Sequence, residues 1–182
     1  MEFVATELPG VMILRPRVFG DERGFFMETW RESAFVDRGL DHRFVQDNHS
    51  RSVQHTLRGL HYQLARPQGK LVRVVSGEVF DVAVDLRRSS DTFGRWVGAR
   101  LSEANREQLW IPPGFAHGFL VLSDRADVVY KCTDYYAPGD DRSVRWNDAR
   151  IDVEWPLPAG VQPLLSDRDR TAPSLGEAET FP

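Results

Sequence analysis

The stretch Leu57–Gln63, LRGLHYQ, sets an arginine, a glycine and a histidine in a run that otherwise reads as a strand. A core strand would carry aliphatic residues there. Either the run faces water or it lines a polar pocket. His61 has the widest chemical reach, because an imidazole with an ordinary pKa of about 6.5 exchanges a proton at neutral pH. Arg58 offers a planar fork suited to an anion. The two lie three residues apart, so a regular strand would point them to opposite faces. Gly59 between them is a common mark of a bulge, which re-aims a side chain. If both residues serve one pocket, a bulge or twist is required here.

Other polar residues fall where a core would not choose them. Gln46, Asn48 and Ser50 share one face of FVQDNHS. Val128, Tyr130, Cys132, Asp134 and Tyr136 share one face of VVYKCTDYY if that strand runs unbroken. A barrel interior bearing Gln, Asn and Tyr is a cup for a polar ligand rather than a filled core. The competing reading is a solvated face. The run IPPGFAHGF has the spacing Pro-x-Gly-x-x-His, from Pro112 through Gly114 to His117. It resembles the second motif of cupins, small jelly-roll barrels. Many cupins hold a metal through a His-x-His pair and a carboxylate on the earlier motif. Here that place reads HYQ, and two histidines with neutral neighbours make a poor transition-metal site. A metal-free cupin is expected.

These side chains need strands to position them, and the dominant period along the chain is two. From Lys70 to Leu86, KLVRVVSGEVFDVAVDL alternates on either side of Ser76-Gly77 and reads as a β-hairpin. After the turn, Phe80, Val82, Val84 and Leu86 fall on one face, and Val79, Asp81, Ala83 and Asp85 on the other. Further strands are expected in VMILRP, GFFMETW, RFVQDNHS, HTLRGLHYQ, WVGARLS, EQLWIP, AHGFLVLS and ADVVYKCTDYY. Asp21-Glu22-Arg23-Gly24 and Pro112-Pro113-Gly114 are turn signals. Two short stretches suggest helix: Arg31–Arg38, ended by Gly39, and a turn near Glu103–Arg106. Many short strands with frequent turns predict an all-β fold, a cupin jelly-roll β-barrel or sandwich with a few short helices. A single domain over residues 1–182 is expected. Its proline-rich part from about residue 156 is expected to wrap the surface irregularly, with roughly the last ten residues mobile.

The bulk properties bound the function. The 182 residues are 41% hydrophobic, with eleven Phe and five Trp, which suffices for a packed core. The net charge of −4 and the lack of any basic run argue against nucleic acid, although local arginines can still hold a small anion. Cys132 is the one cysteine, so no disulfide framework is possible within the chain. The start, MEFVATELPG, lacks the basic and apolar regions of a secretory signal, and no apolar run approaches the roughly 20 residues of a membrane span. A cytoplasmic protein without a membrane partner is expected.

Taken together, DERGFF, QDNHS, LRGLHYQ, QGKLVRVVSGEVFDVAVDLR, TFGRW, IPPGFAHGF, YKCTDYYAP, WND, WPL and LSDRD resemble the dTDP-4-dehydrorhamnose 3,5-epimerase family. The resemblance runs from about Pro9 to Asp169, and so many blocks in order are far more specific than any one motif. It implies a dTDP-linked 4-keto-6-deoxyhexose as substrate, a homodimer, and epimerisation at C3 and C5. Both carbons flank the C4 ketone, so removing either proton gives an enolate, and reprotonation on the other face inverts the centre. Such chemistry needs no redox cofactor.

The resemblance also implies roles. His61 matches the base, Asp169 the carboxylate that orients it, and Tyr130 the acid on the opposite face. Lys70 matches a residue stabilising the enolate oxygen. His117 matches a second pocket histidine, and Tyr136 an aromatic stacked on thymine, with adjacent Tyr135 as the alternative. Arg23, Arg58 and Arg168 match positions near the diphosphate, Arg168 standing where lysine is common. Glu28, Gln46 and Asn48 match nucleotide and sugar contacts, with Arg23 and Glu28 reaching a neighbouring subunit. The family usually has a glutamate after YYAP; here GDD supplies Asp140 and Asp141, and Asp141 fits the spacing. Cys132 reads as a small buried residue. Three other readings remain: a relative inverting C3 or C5 alone, a non-catalytic sugar-nucleotide binder, and a metal-dependent cupin oxygenase.

Overall fold

The structure, a computed structural model, describes residues 1–182. It is built from thirteen strands and two short helices. The strands are β1 Glu2–Ala5, β2 Met12–Arg15, β3 Val18–Asp21, β4 Gly24–Met27, β5 Gln46–Val53, β6 Leu57–Gln63 and β7 Lys70–Ser76. They continue with β8 Glu78–Asp85, β9 Trp96–Ser102, β10 Gln108–Ile111, β11 Phe115–Val121, β12 Arg125–Cys132 and β13 Asp141–Ser143. The helices are α1 Glu32–Val36 and α2 Asp167–Arg170. Two antiparallel sheets dominate, ordered β1-β2-β10-β7-β12-β5 and β13-β6-β11-β8-β9, and β3 with β4 forms a separate hairpin. This is the expected all-β, cupin-like jelly roll.

The core sits between the two large sheets. Val72, Val74, Leu109, Ile111 and Val128 from the first meet Val79, Ala83, Leu101, Phe115 and Phe119 from the second. β8 is covered on both faces. Val79 and Ala83 face the inner core, while Val82, Val84 and Leu86 pack against Val144, Ile151, Leu175, Ala178 and Phe181. Fully burying one such aliphatic or aromatic side chain is worth about 1.5–3 kcal/mol. On the outer face of the first sheet, Phe35 of α1 meets Trp110 edge-on at 6.2 Å between ring centroids.

Three expectations are corrected here. Lys70–Leu86 is not a hairpin, for β7 pairs with β10 and β12 whereas β8 pairs with β11 and β9. Only Gly77 separates β7 from β8, too little for the two-residue loop a tight hairpin needs, so the chain crosses between sheets instead. Gly77 has φ +77°, and a Cβ there would lie 2.1 Å from the Arg125 carbonyl oxygen, so glycine alone fits. Residues 103–105 form a turn without helix, whereas the unanticipated α2 closes over the site. The last residues are packed rather than loose: Ala172, Leu175, Ala178 and Phe181 are buried, and Phe181 bridges to Arg87. No helix is long and apolar enough to cross a membrane.

Candidate active site

The strand LRGLHYQ carries the bulge its spacing demands. His61 lies opposite His117 of β11, and Arg58 lies opposite Phe119, so three steps along β6 match two along β11. Gly59 makes this possible. Its φ is +135°, and a Cβ there would stand 2.5 Å from the Gly118 Cα. Two glycines thus let the strands approach closely while the extra residue turns the parity of β6.

His61 Nε2 lies 2.5 Å from Asp169 Oδ1. Asp169 is itself held: Ser166 Oγ donates to its Oδ2 at 2.8 Å and accepts from its backbone N–H at 3.1 Å, capping α2. Burial alone would push the Asp169 carboxyl up, but hydrogen bonds from His61, Ser166 and the Gly59 amide outweigh it and hold the carboxyl below its usual range. An ionised Asp169 accepts from Nε2–H, which leaves Nδ1, without a protein hydrogen bond, as the unprotonated nitrogen. Burial also pushes His61 down; the pull of Asp169 in the other direction is smaller. The imidazole is therefore neutral at pH 7 and free to take a proton.

His61 opens into a cleft of about 350 Å³. Tyr130 of β12 lines the same cleft from the other large sheet, and burial pushes its phenol up, with the Arg58 charge offsetting part of the rise. Lys70 of β7 also lines it. Burial pushes its ammonium down, while the nearby acids Cys132, Asp141 and Asp81 pull it back in part. No carboxylate lies within 4 Å of Lys70 Nζ, unlike Arg168 in the same cleft and Lys131, the other lysine. Gln46 and Asn48 enter from β5, linked by Gln46 Nε2 donating to Asn48 Oδ1 at 3.1 Å.

The far wall comes from the segment after β12 and from α2. β12 ends at Cys132, so Tyr136 reaches the cleft from a loop rather than along an unbroken strand. Its backbone N–H donates to Gln46 Oε1 at 2.9 Å and its hydroxyl to Asp141 Oδ2 at 3.1 Å. Tyr135 does not line the cleft. Arg168 Nη1 donates to Asp141 and its Nη2 to the Arg142 carbonyl at 3.0 Å. Asp140 caps a neighbouring loop, accepting from the backbone N–H of Ala65 and Arg66.

Eight of the residues singled out in the sequence therefore meet in one cleft: Gln46, Asn48, His61, Lys70, Tyr130, Tyr136, Asp141 and Arg168. Asp169 stands behind His61. His117 is buried, with Nε2 3.0 Å from both Asp81 oxygens and its ring 6.4 Å from that of Tyr130. Arg58 donates through Nε to Ser52 Oγ at 3.0 Å and does not line the cleft. Arg23 and Glu28 are elsewhere in this chain, Arg23 paired with Asp21 at the β3–β4 turn and Glu28 with Arg31 at 3.4 Å.

Three contributors escaped the sequence reading. Gln68 lines the cleft with its Nε2 donating to the Asp134 carbonyl, and it is two residues from Lys70. Asp81 was legible as an acid on the apolar face of Val79 and Ala83. Ser166, three residues before Asp169, has the spacing of a helix N-cap. No group of three or more His, Cys, Asp or Glu side chains is arranged to hold a metal ion.

Comparison with known proteins gives one answer. A family model described as dTDP-4-dehydrorhamnose 3,5-epimerase matches residues 5–177. A protein of that name from Pseudomonas aeruginosa is 54% identical over 183 residues, covering 100% of both chains. The crystal structure of dTDP-6-deoxy-D-glucose-3,5-epimerase from Legionella pneumophila, in complex with dTDP-4-keto-L-rhamnose, superposes with a TM-score of 0.93 at 50% identity, over 97% of this chain and 93% of that one. A 3'-monoepimerase from Streptomyces bikiniensis, in complex with dTDP-quinovose, superposes at 0.88 with 34% identity, over 95% of this chain and 87% of its own.

Proposed function

Since the chain belongs to the dTDP-4-dehydrorhamnose 3,5-epimerase family, we propose that it inverts C3 and C5 of dTDP-4-dehydro-6-deoxy-D-glucose to give dTDP-4-dehydro-L-rhamnose. It is an isomerase of dTDP-L-rhamnose biosynthesis. The observation that carries the mechanism is that a carboxylate-bound imidazole and an unpartnered phenol enter one cleft from different sheets.

In this reading His61 Nδ1 takes the proton from C3 or C5, and Asp169 stabilises the imidazolium that forms. The electron pair moves onto the C4 oxygen. Lys70 meets that oxyanion, a role supported by its lack of a carboxylate partner; losing such a donor commonly costs on the order of 10²–10³ in rate. Tyr130 returns a proton to the opposite face of the ring. No electrons leave the substrate, so the reaction requires no redox cofactor. His117, held by Asp81, supports the wall beside Tyr130.

Arg168 takes the diphosphate within the cleft, Arg58 adds its charge from behind the lining, where Tyr130 already feels it, and Tyr136 stacks on the thymine. Gln46 and Asn48 donate to the nucleotide and sugar. Arg23 and Glu28 belong to the cleft of a second copy in a homodimer. That reading is supported by the β3–β4 element, where Phe19, Phe25 and Phe26 are 52%, 57% and 70% exposed in the isolated chain. A cytoplasmic setting accompanies it.

Proton NMR of the 4-keto nucleotide sugar in D₂O tests the function. Deuterium should enter at both C3 and C5. Entry at one carbon would make the protein a single-centre epimerase, as the Streptomyces bikiniensis neighbour is named. No entry with retained dTDP binding would make it a binder.

A further inference from the structure

Arg168, the cation at the nucleotide end of the cleft, is already engaged. Its Nη1 donates to Asp141, whose Oδ2 also accepts from the Tyr136 hydroxyl. The Asp141 side chain is 12% exposed and that of Arg168 40%, so the carboxylate is sheltered while the guanidinium stays open to an incoming anion. One carboxylate oxygen therefore ties together the guanidinium read as meeting the phosphates and the ring read as meeting the base. A diphosphate approaching Arg168 meets a resident anion, and Lys70 is the cleft cation without one.

We propose that Asp141 is a positioning residue that holds Arg168 and Tyr136 in register and competes with the ligand's diphosphate for Arg168, so that it limits nucleotide affinity instead of supplying it. The inference rests on the sugar-nucleotide reading above. Its physical basis is simple. The Arg142 carbonyl and Asp141 fix the guanidinium before ligand arrives, which lowers the ordering cost of binding. The same carboxylate repels the incoming phosphates, which keeps the product from staying bound. Asparagine at this position keeps an oxygen for Tyr136 and Arg168 but removes the charge. Taking one negative charge from beside a dianion should raise affinity on the order of tenfold.

Titration calorimetry of the purified full chain with dTDP and with thymidine separates the alternatives. Asp141→Asn should bind dTDP about tenfold more tightly and thymidine as the unaltered protein does. Asp141→Glu should restore the original dTDP affinity. In turnover, KM should fall for Asp141→Asn without a rise in kcat. Weaker dTDP binding by Asp141→Asn would overturn the proposal and make Asp141 a direct ligand contact. Equal tightening toward thymidine would also overturn it, because the charge would not be acting through phosphate. Asp141→Gln, which also keeps an acceptor oxygen without the charge, is read the same way where the asparagine variant does not fold. If the unaltered chain binds no dTDP, the failure lies with the sugar-nucleotide reading itself.

Discussion

Replacing Asp169 with asparagine probes the catalytic pair without changing its shape. In the native arrangement Asp169 receives the His61 Nε2 proton at 2.5 Å and the Ser166 hydroxyl proton at 2.8 Å. Both neighbours donate, and a carboxylate accepts from both. A carboxamide has one acceptor and one donor, so it cannot satisfy the two. If its oxygen serves Ser166, its N–H₂ faces His61 Nε2 and forces the proton onto Nδ1, the nitrogen that must be empty to act as base. If its oxygen serves His61, the tautomer survives but the imidazolium loses an ionic partner worth about 1.5–3 kcal/mol, which is roughly 10- to 100-fold in rate. With the tautomer penalty added, C–H exchange should slow about 10²–10⁴-fold. Deuterium uptake at C3 and C5 by NMR reads this directly, while dTDP binding should stay within about twofold.

The pH profile supplies a second signature of the same substitution. A base works above its pKa, and burial already sets that of His61 below the ordinary value, with Asp169 drawing it part of the way back. Removing the carboxylate removes the upward pull. The acidic limb of kcat/KM should therefore move to lower pH even as the plateau falls. Exchange within about fivefold of the native rate, or an acidic limb displaced upward, would refute the assignment of His61 and Asp169 as a working pair.

Other perturbations test other parts of the structure. Tyr130→Phe should leave the first exchange step nearly intact but slow complete double inversion by about 10²-fold or more, a split visible by comparing deuterium uptake with product formation. Gly59→Ala should be severely destabilising, about 3 kcal/mol or more by denaturant unfolding, because its Cβ would lie 2.5 Å from the Gly118 Cα at φ +135°. Asp85 accepts from Arg87, Ser90 and Thr92. Burial raises its carboxyl, but these hydrogen bonds outweigh it and bring it to about 2 from an ordinary 3.8. A depressed folded pKa gives stability that is full above the unfolded value and lost as pH falls toward the folded one. Asp85→Asn should thus cost about 2 kcal/mol at pH 7, with the difference shrinking between pH 4 and pH 2 in thermal melts.

Much of the site was legible because polar residues on strand faces obey a strict period. Gln46 and Asn48 on β5 and Tyr130 on β12 reach the cleft as their parity requires. The conflict between Arg58 and His61 announced a bulge, and Gly59 identified where it lay. Pairing was less legible. Alternation on both sides of Gly77 looks the same whether the strands join edge to edge or part into different sheets, since periodicity reports faces and not neighbours. The short α2 escaped because four residues, DRDR, carry no apolar stripe; its only local signal is the Ser166 cap. The C-terminal segment looked loose because its buried residues, Leu175, Ala178 and Phe181, are spaced to cover β8 and β11 rather than to form an element of their own.

His61 and Tyr130 ride on separate walls of the barrel, and under the proposed mechanism this has a bearing on stereochemistry. The gap between them is a mechanical dimension, set by how Val72, Val74 and Val128 pack with Phe119 and Ala83 between the sheets. A methyl group gained or lost in that wedge tilts one wall against the other and alters which ring hydrogens come within reach. Under the proposed mechanism, inverting one centre in place of two needs no change in His61 or Tyr130, only a different gap between them.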